Sequence, residues 1–327
     1  MLRMLSAYIL TPDGKTDRLN SLEALRPCAN RVDAQIWVDI EGDAPGEVRQ
    51  VGEWFRLDPA AVQDCLTGDL RARIDDFETY LFLILYGAVG VEVGMTFAPR
   101  KLAVFCGEKF LITIHTEPHR SIRAIHARCD RNATPLLSRG AGHILYLILD
   151  TMVGNYVALT DAYEQQLDEL EEKSLAAERE GEVLAGIVPL RRELTELRRR
   201  ASGVREVIAP IAHDEYDSLP ETIEHRFDHL IDHLTDVVET IDAQRDVLHA
   251  IVENHHATLA HRTNQTIRVL TVLATSLLPM SVMAGIYGMN LPTWPAATNP
   301  WSFWVVLAVM AIVGTSTLLL FKRWKLW

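Results

Sequence analysis

Past Glu253 the chain contains no acidic residue. The remaining 74 residues carry only Arg262, Arg268, Lys322, Arg323 and Lys325 as fixed charges, so no carboxylate site can lie there. Cysteine is also scarce. Cys28, Cys65, Cys106 and Cys129 stand far apart with no CxxC spacing, which excludes a disulfide scaffold and a zinc ribbon and suits a reducing compartment. No GxxxxGK[ST] loop occurs, so neither a P-loop nor a nucleotide partner is expected. Glycine and proline are absent from the 58 residues between Pro220 and Pro279, so nothing there breaks a helix. Long uncharged apolar runs are confined to the C-terminal end, which excludes a many-span membrane protein. A formal net charge of −12 over 327 residues, with a pI near 5.5, argues against nucleic acid as a partner.

What is present divides into two physically different parts. The first 253 residues hold a formal charge of −17 and the rest +5. Val269–Tyr287 and Trp301–Phe321 are uncharged apolar runs, each near the roughly 20 residues needed to cross a bilayer as a helix. Basic residues flank the outer ends of the pair, with Arg262 and Arg268 before it and Lys322, Arg323 and Lys325 after it. The positive-inside rule then places both termini in the cytoplasm and residues 288–300 outside, as in a multi-pass protein of the inner membrane. Trp301, Trp304, Trp324 and Trp327 suit interfacial anchors. The N-terminal Leu5–Leu10 run is too short for a signal peptide and meets a Thr-Pro-Asp-Gly turn.

Residues 1–138 read as a cytoplasmic α/β domain. Strands are expected at Leu5–Leu10, Gln35–Ile40, Tyr80–Val89, Leu102–Phe105 and Phe110–His115, from β-branched and aromatic residues. Helices are expected at Gly46–Arg56, Pro59–Leu66 and His119–Cys129, the first two beside prolines suited to helix starts. Residues 139–220 read as a helical hairpin. Its first helix, His143–Glu180, has Leu145, Leu149, Met152, Tyr156, Leu159, Tyr163, Leu167 and Leu170 at helical spacing, with an acidic distal half. Gly181 should interrupt. The second helix, Val183–Ile211, carries Arg191, Arg192, Arg198, Arg199 and Arg200, which suggests charge-paired sides. Residues 221–268 read as a cytoplasmic stalk helix, with Ile223, Phe227, Leu230, Leu234, Val238, Ile241, Leu248 and Val252 in coiled-coil spacing. The stretch without glycine or proline spans roughly 87 Å as one helix and runs into the first span (269–287) without a break. Residues 301–321 form the second span and 322–327 a basic tail. The class is thus an α+β membrane protein. One two-span chain cannot enclose an aqueous path alone, so any such path needs a ring of copies.

The first span ends in Tyr287-Gly288-Met289-Asn290. A Gly-Met-Asn triplet closing the penultimate span, a short outer loop, a last span and a basic tail resemble the CorA family of divalent-cation channels. The likeness covers essentially the whole chain. Trp37-Val38-Asp39-Ile40-Glu41, Phe110 to Pro118, and Leu273-Ala274-Thr275 through Leu278-Pro279-Met280 to Tyr287 are also similar to that family. The resemblance implies a funnel-shaped homopentamer with a pore lined by the first span, moving Mg2+ and also Co2+ or Ni2+, with no enzymatic turnover and no catalytic cofactor. The family's outer loop is usually acidic. Here it reads Leu-Pro-Thr-Trp-Pro-Ala-Ala-Thr-Asn-Pro, which keeps the zinc-transporting ZntB branch, with proton coupling, as an alternative. A non-conducting, membrane-anchored coiled-coil scaffold is the rival class.

Magnesium gives up its waters reluctantly. A ring of Asn290 carbonyls, with Gly288 and Met289 completing the filter, would bind the hydrated ion through its waters. Gly288 is expected to permit a tight turn. Stepping back from Asn290 by 3–4 residues marks one helix face: Ser281, Leu278, Ala274, Thr271 or Leu270, Ile267, and Asn264 or Thr263. By resemblance Asn264 is a second asparagine ring, and Ile267, Leu270 and Leu278 are a hydrophobic gate. Arg268, Lys322, Arg323 and Lys325 form a basic collar. The family also binds regulatory magnesium between subunits. The matching positions are Gln63-Asp64 and, on the stalk, His229 with Asp228 and Asp232. Two further family acids are replaced by Gly154 and Asn155. His225, His229 and His233 lie four apart, a spacing open to zinc or nickel, or to pH sensing.

Overall fold

A computed structural model of the chain describes residues 4–29, 31, 33–68, 71–89, 97–175, 180–213, 221–289 and 301–323. They divide into two compact units, Met1–Ile251 and Val252–Trp327.

The first unit is built on a seven-stranded sheet. The strands are β1 (Met4–Leu10), β2 (Thr16–Leu19), β3 (Gln35–Glu41), β4 (Arg73–Asp76), β5 (Tyr80–Val89), β6 (Ala98–Gly107) and β7 (Phe110–His115), in the order β2-β1-β3-β7-β6-β5-β4. Only β3 and β7 run parallel, with Val38 opposite Ile112; the other neighbours are antiparallel. The helices are α1 (Leu22–Ala29), α2 (Pro45–Trp54), α3 (Pro59–Leu66), α4 (Arg120–Asn132), α5 (Thr134–Leu137), α6 (Ala141–Leu175), α7 (Glu180–Ala212), α8 (Glu221–Tyr287) and α9 (Ser302–Arg323).

The central strands bury both faces, which explains the unbroken apolar run of β5. One face carries Ile36, Val38, Ile40, Phe82, Ile84 and Phe105 into a core with Val48, Val51, Ala61 and Val62 of α2 and α3. The other face meets α4, α6 and α7. α3 starts where Asp58 accepts hydrogen bonds from Ala60 N (2.8 Å) and Ala61 N (3.2 Å), with Pro59 at its first position. The eight apolar positions expected on the first hairpin helix are all buried on α6. Tyr156 ties α6 to the sheet by donating its hydroxyl to Tyr86 O at 2.6 Å.

Three expectations change. Gly181 does not break the hairpin: α6 ends at Leu175 and α7 already runs from Glu180 through it. The two helices are not charge-paired among the described residues. They meet through Tyr163, which donates to Glu193 at 2.8 Å, and through a close approach at Gly186, where a Cβ would fall 2.9 Å from Leu170 Cδ1. The arginines of α7 pair elsewhere, Arg198 with Asp242 of α8 at 2.5 Å, and Arg199 and Arg200 with Glu196 of their own helix. The polar strands β2 and β4 and the helices α1 and α5 were not expected. In this unit α8 buries Phe227, Leu230, Leu234, Val238, Ile241 and Leu248, and Gln244 Nε2 donates to Thr160 O of α6 at 2.7 Å.

The second unit holds the rest of α8 and all of α9. Both helices are long and apolar enough to cross a membrane, and only 11% and 6% of their most apolar stretches are covered by protein. Tyr287 of α8 and Ser302, Phe303, Val306, Leu307 and Met310 of α9 line an apolar cavity of about 260 Å3. Further along, Met280 fills the space that any side chain at Gly314 would need. The two helices therefore run antiparallel. Arg268, Lys322 and Arg323 lie at one end, and the exposed Trp301, Phe303 and Trp304 at the other.

Candidate functional site

The membrane half of α8 has two unlike faces. Val272 and Ser276 are buried, and Pro279, Met280, Met283 and Tyr287 are half-buried. Stepped at about 100° per residue, these positions form one stripe directed at α9. The facing stripe on α9 is Ser302, Val306, Met310, Val313, Gly314 and Thr317. Small residues in it, Gly314 above all, allow close helix approach where no water drives association.

The expected pore positions lie about half a turn away from that contact. Ile267, Leu270 and Leu278 are 54%, 65% and 68% exposed, and Asn264, Thr271 and Ser281 are exposed with them. Thr271 satisfies its hydroxyl on Ile267 O at 2.8 Å, so it adds little polarity to the face. One chain thus aligns these residues and leaves them uncovered. Bringing several such faces together requires further copies.

At the end of α8, the Gly288 N–H still donates to Ala284 O at 2.9 Å and the Met289 N–H to Ile286 O at 3.2 Å. The described glycines at positive φ are Gly14, Gly42 and Gly140. Gly288 is not among them; it stands in a turn at the end of α8, and the residue that turn was expected to aim, Asn290, follows beyond the described residues. The lack of a side chain at Gly288 matters differently, since a Cβ would crowd Ala284 O at 3.3 Å. Lys325 also lies outside the described residues. Arg268, Lys322 and Arg323 are exposed.

Asp64, near the end of α3, forms an ion pair with Arg73, whose Nε also reaches Asp75 at 2.8 Å. Lys101 Nζ donates to Asp64 O and Thr67 O, both at 2.6 Å, closing the C-terminal end of α3. A cation at Asp64 therefore meets two positive side chains already in place. Asp228, His229, Asp232 and His233 are exposed on α8; His225 lies outside the described side chains. Among the described residues no three His, Cys, Asp or Glu converge to hold a metal. Asn155 is buried and donates to Ser121 Oγ at 3.3 Å, a structural use.

Sequence reasoning missed a buried polar centre between β3, β7 and α4. Asp39 is 2% exposed. It accepts from Thr113 Oγ1 at 2.5 Å, and the ring nitrogens of His126 and His115 lie 2.8 and 3.2 Å away. Burial alone would raise its pKa. The hydrogen bonds and charges of His115 and His126 outweigh that and hold the carboxyl well below the usual range. His126 stacks on Trp37 with centroids 4.5 Å apart and reaches Tyr8 OH at 3.2 Å. Tyr8 donates to Asp130 at 2.6 Å. His119 is buried with neither ring nitrogen hydrogen-bonded among the described residues, and burial pushes its pKa down to about 3. The Trp-x-Asp of β3 was visible in the sequence, but its partners lie 74 to 87 residues away.

A folded polar body and an antiparallel pair of helices long and apolar enough to cross a membrane, one with an uncovered polar and apolar stripe, define the class: a membrane protein with two candidate spans in its second unit. Comparison with known proteins fixes the family. A sequence model described as "CorA-like Mg2+ transporter protein" matches residues 33–323, and the chain belongs to that family of divalent-cation transporters. The cobalt/magnesium transport protein CorA of Thermotoga maritima is 26% identical over 290 residues, covering 88% of this chain and 82% of that protein. A zinc transport protein ZntB of Pectobacterium atrosepticum is 23% identical over 332 residues, covering 97% and 92%. The solved CorA magnesium transporter of Methanocaldococcus jannaschii superposes with a TM-score of 0.85 at 22% identity, covering 99% of this chain and 98% of that one, which shows a shared fold.

Proposed function

We propose that five copies of the chain form a funnel-shaped pore in the inner membrane, with both termini cytoplasmic, that conducts Mg2+ and also Co2+ or Ni2+. The first span of each copy lines the path. Asn290, with Gly288 and Met289, rings the outer mouth and binds the hydrated ion through its waters. Ile267, Leu270 and Leu278 form the constriction that closes by excluding water, and Asn264, Thr271 and Ser281 add polar rings. Arg268, Lys322, Arg323 and Lys325 form the collar. Asp64 of one copy and Asp228, His229 or Asp232 of the next hold the regulatory cation. His225 and His233 extend that face toward softer metals or protons.

The observation that carries this reading is the uncovered face of α8, which presents Ile267, Leu270 and Leu278 half a turn from the α9 contact. A scaffold without a pore gives no reason for a membrane helix to align Asn264, Thr271 and Ser281 with its most exposed leucines. The test is metal uptake into liposomes, with Mg2+, Co2+, Ni2+ and Zn2+ compared with and without a pH gradient. Mg2+ uptake that disappears in Asn290→Ala, with the melting temperature unchanged, supports the pore. Uptake only of Zn2+, and only with a pH gradient, moves the chain to the proton-coupled reading. Equal uptake by the variant removes Asn290 from the filter.

A further inference from the structure

The first unit is strongly acidic as a whole, yet one of its hollows is lined by arginines. A cavity of about 700 Å3 is bounded by Arg71 ahead of β4, by Arg198, Arg199, Arg200 and Glu206 of α7, and by Arg245 of α8. Its walls come from separate segments of the chain, so no local motif announces it. α7 buries Leu190, Leu194, Leu197, Ala201 and Val204, which at about 100° per residue turns Arg198, Arg199 and Ser202 outward. Gly203 lets the helix close on the sheet: a Cβ there would lie 3.1 Å from Ala72 Cβ.

The floor is fixed. The Arg200 side chain is 9% exposed and pairs with Glu196 at 2.7 Å. Its guanidinium lies 3.8 Å over the Tyr86 ring, a stacking that desolvation strengthens. Arg198 and Arg245 share Asp242, at 2.5 and 3.2 Å. Arg199 shares Glu196 with Arg200. Among the described residues, five guanidinium groups thus face three carboxylates, Glu196, Asp242 and Glu206. The surplus is concave, where like charges repel one another more than on an open helix face.

We propose that this hollow binds a small anion carrying two or more phosphoryl groups. Guanidinium forks match phosphoryl oxygens in geometry and charge. The volume falls within the roughly 300–1,000 Å3 of small-molecule sites. A di- or triphosphate brings enough negative charge to offset the surplus, which a single carboxylate does not. The missing P-loop excludes one way to hold such a ligand, whereas arginines on a folded surface are another. Because the walls include the segment ahead of β4, Tyr86 of β5, α7 and α8, the bound anion braces these elements within the first unit. The inference does not depend on the pore.

The test is calorimetric titration of the full chain in nanodiscs, without divalent cations, against tripolyphosphate, ATP, inorganic phosphate and adenosine. Saturable binding of tripolyphosphate and ATP, and none of adenosine, is expected. Equal affinities mean that the phosphates alone are read; tighter ATP means that the base adds contacts. Arg71→Gln and Arg199→Gln change exposed side chains and leave the melting temperature in place. Each should weaken binding about tenfold, the effect of one charge-assisted hydrogen bond. Glu206→Gln removes the acid on the wall and should strengthen binding several-fold, which damage to the fold cannot do. Absence of saturable binding, or affinities unmoved by these three substitutions, overturns the proposal.

Discussion

α6 and the two helices of the second unit satisfy the same requirement of length and apolarity for crossing a membrane, but they hide that apolarity differently. In α6, 61% of the most apolar stretch is buried by protein, against 11% and 6% in α8 and α9. Hydropathy therefore identifies surface that must leave water without saying what replaces the water. For α6 the replacement is the sheet; the apolar stretches of α8 and α9 are left almost wholly uncovered by the chain itself. The polar groups follow the same division. The body buries a carboxylate and its histidines as a matched set, whereas the membrane helices keep hydroxyls bonded to their own carbonyls and leave their charges at one end.

The largest effect should come from loosening the contact between α6 and the sheet. Tyr156 is fully buried and its hydroxyl is paired. Tyr156→Ala should cost the body about 3–5 kcal/mol, read as a large fall in its melting temperature. Asp39→Asn should act on a similar scale, because breaking a buried pair by removing one partner costs about 3–5 kcal/mol. If either variant melts like the parent, protein does not cover α6 and β3 in the way described.

How much of this was legible in sequence depended on where the signal lay. Tyr80–Val89 and Phe110–His115 were read with their observed ends, because strands buried on both faces are written in β-branched and aromatic residues. β2 reads Thr-Asp-Arg-Leu and β4 Arg-Ile-Asp-Asp. These are short charged strands at the two sheet edges, where charge deters further pairing and erases the hydrophobic pattern. The Asp39 centre was hidden because Asp39, Thr113 and His126 meet only through the parallel β3–β7 pairing and the placement of α4. The exposed stripe proposed to line a pore could be counted out from Asn290, since helical periodicity is local. A lumen formed by several copies is not written in any one of them.

Acid should separate the two units next. His119 is held neutral in the folded body, with its pKa pushed down to about 3, whereas an unfolded histidine titrates near 6.5. Between these values the unfolded chain binds the extra proton, so stability falls as pH drops below about 6.5. Asp39 has the opposite charge type and the same consequence. Its depressed pKa contributes stability above about 3.9, the unfolded value, and that stability is lost as pH falls further. The apolar stretches of α8 and α9 contain no acid or histidine. Thermal melts from pH 8 to pH 4 should therefore show the body weakening while the helical signal of the membrane pair persists. Simultaneous loss of both would mean that the units do not unfold separately.

Within the second unit, two glycines sharpen the contrast between faces. Gly314 lies against Met280, and Gly285 has nothing within 4 Å. Gly314→Val should destabilise the pair by about 1–3 kcal/mol through overpacking. Gly285→Val should leave the melting temperature of the isolated chain unchanged and reduce flux in the assembled pore. An equal thermal effect of the two would place a partner helix on both faces of α8 in a single chain.

The smallest effect belongs to Asp242, the exposed counterpart of Asp39. Its pKa is lowered by the hydrogen bond from Arg198, with Arg245 adding to it, yet its side chain is 40% exposed and that of Arg198 is 41% exposed. Water and salt screen such a pair, so Asp242→Asn should cost only about 0–1 kcal/mol, and less at high ionic strength. Comparing Asp242→Asn with Asp39→Asn in low and high salt isolates burial as the variable, since both remove one carboxylate charge. The Asp39 penalty should barely respond to salt, because no ions reach it. The Asp242 penalty should vanish, and the freed Arg198 and Arg245 should leave the arginine-lined hollow more positive. A salt-insensitive loss at Asp242 would show that α7 and α8 depend on this clamp rather than on Phe227, Leu230, Leu234 and their neighbours.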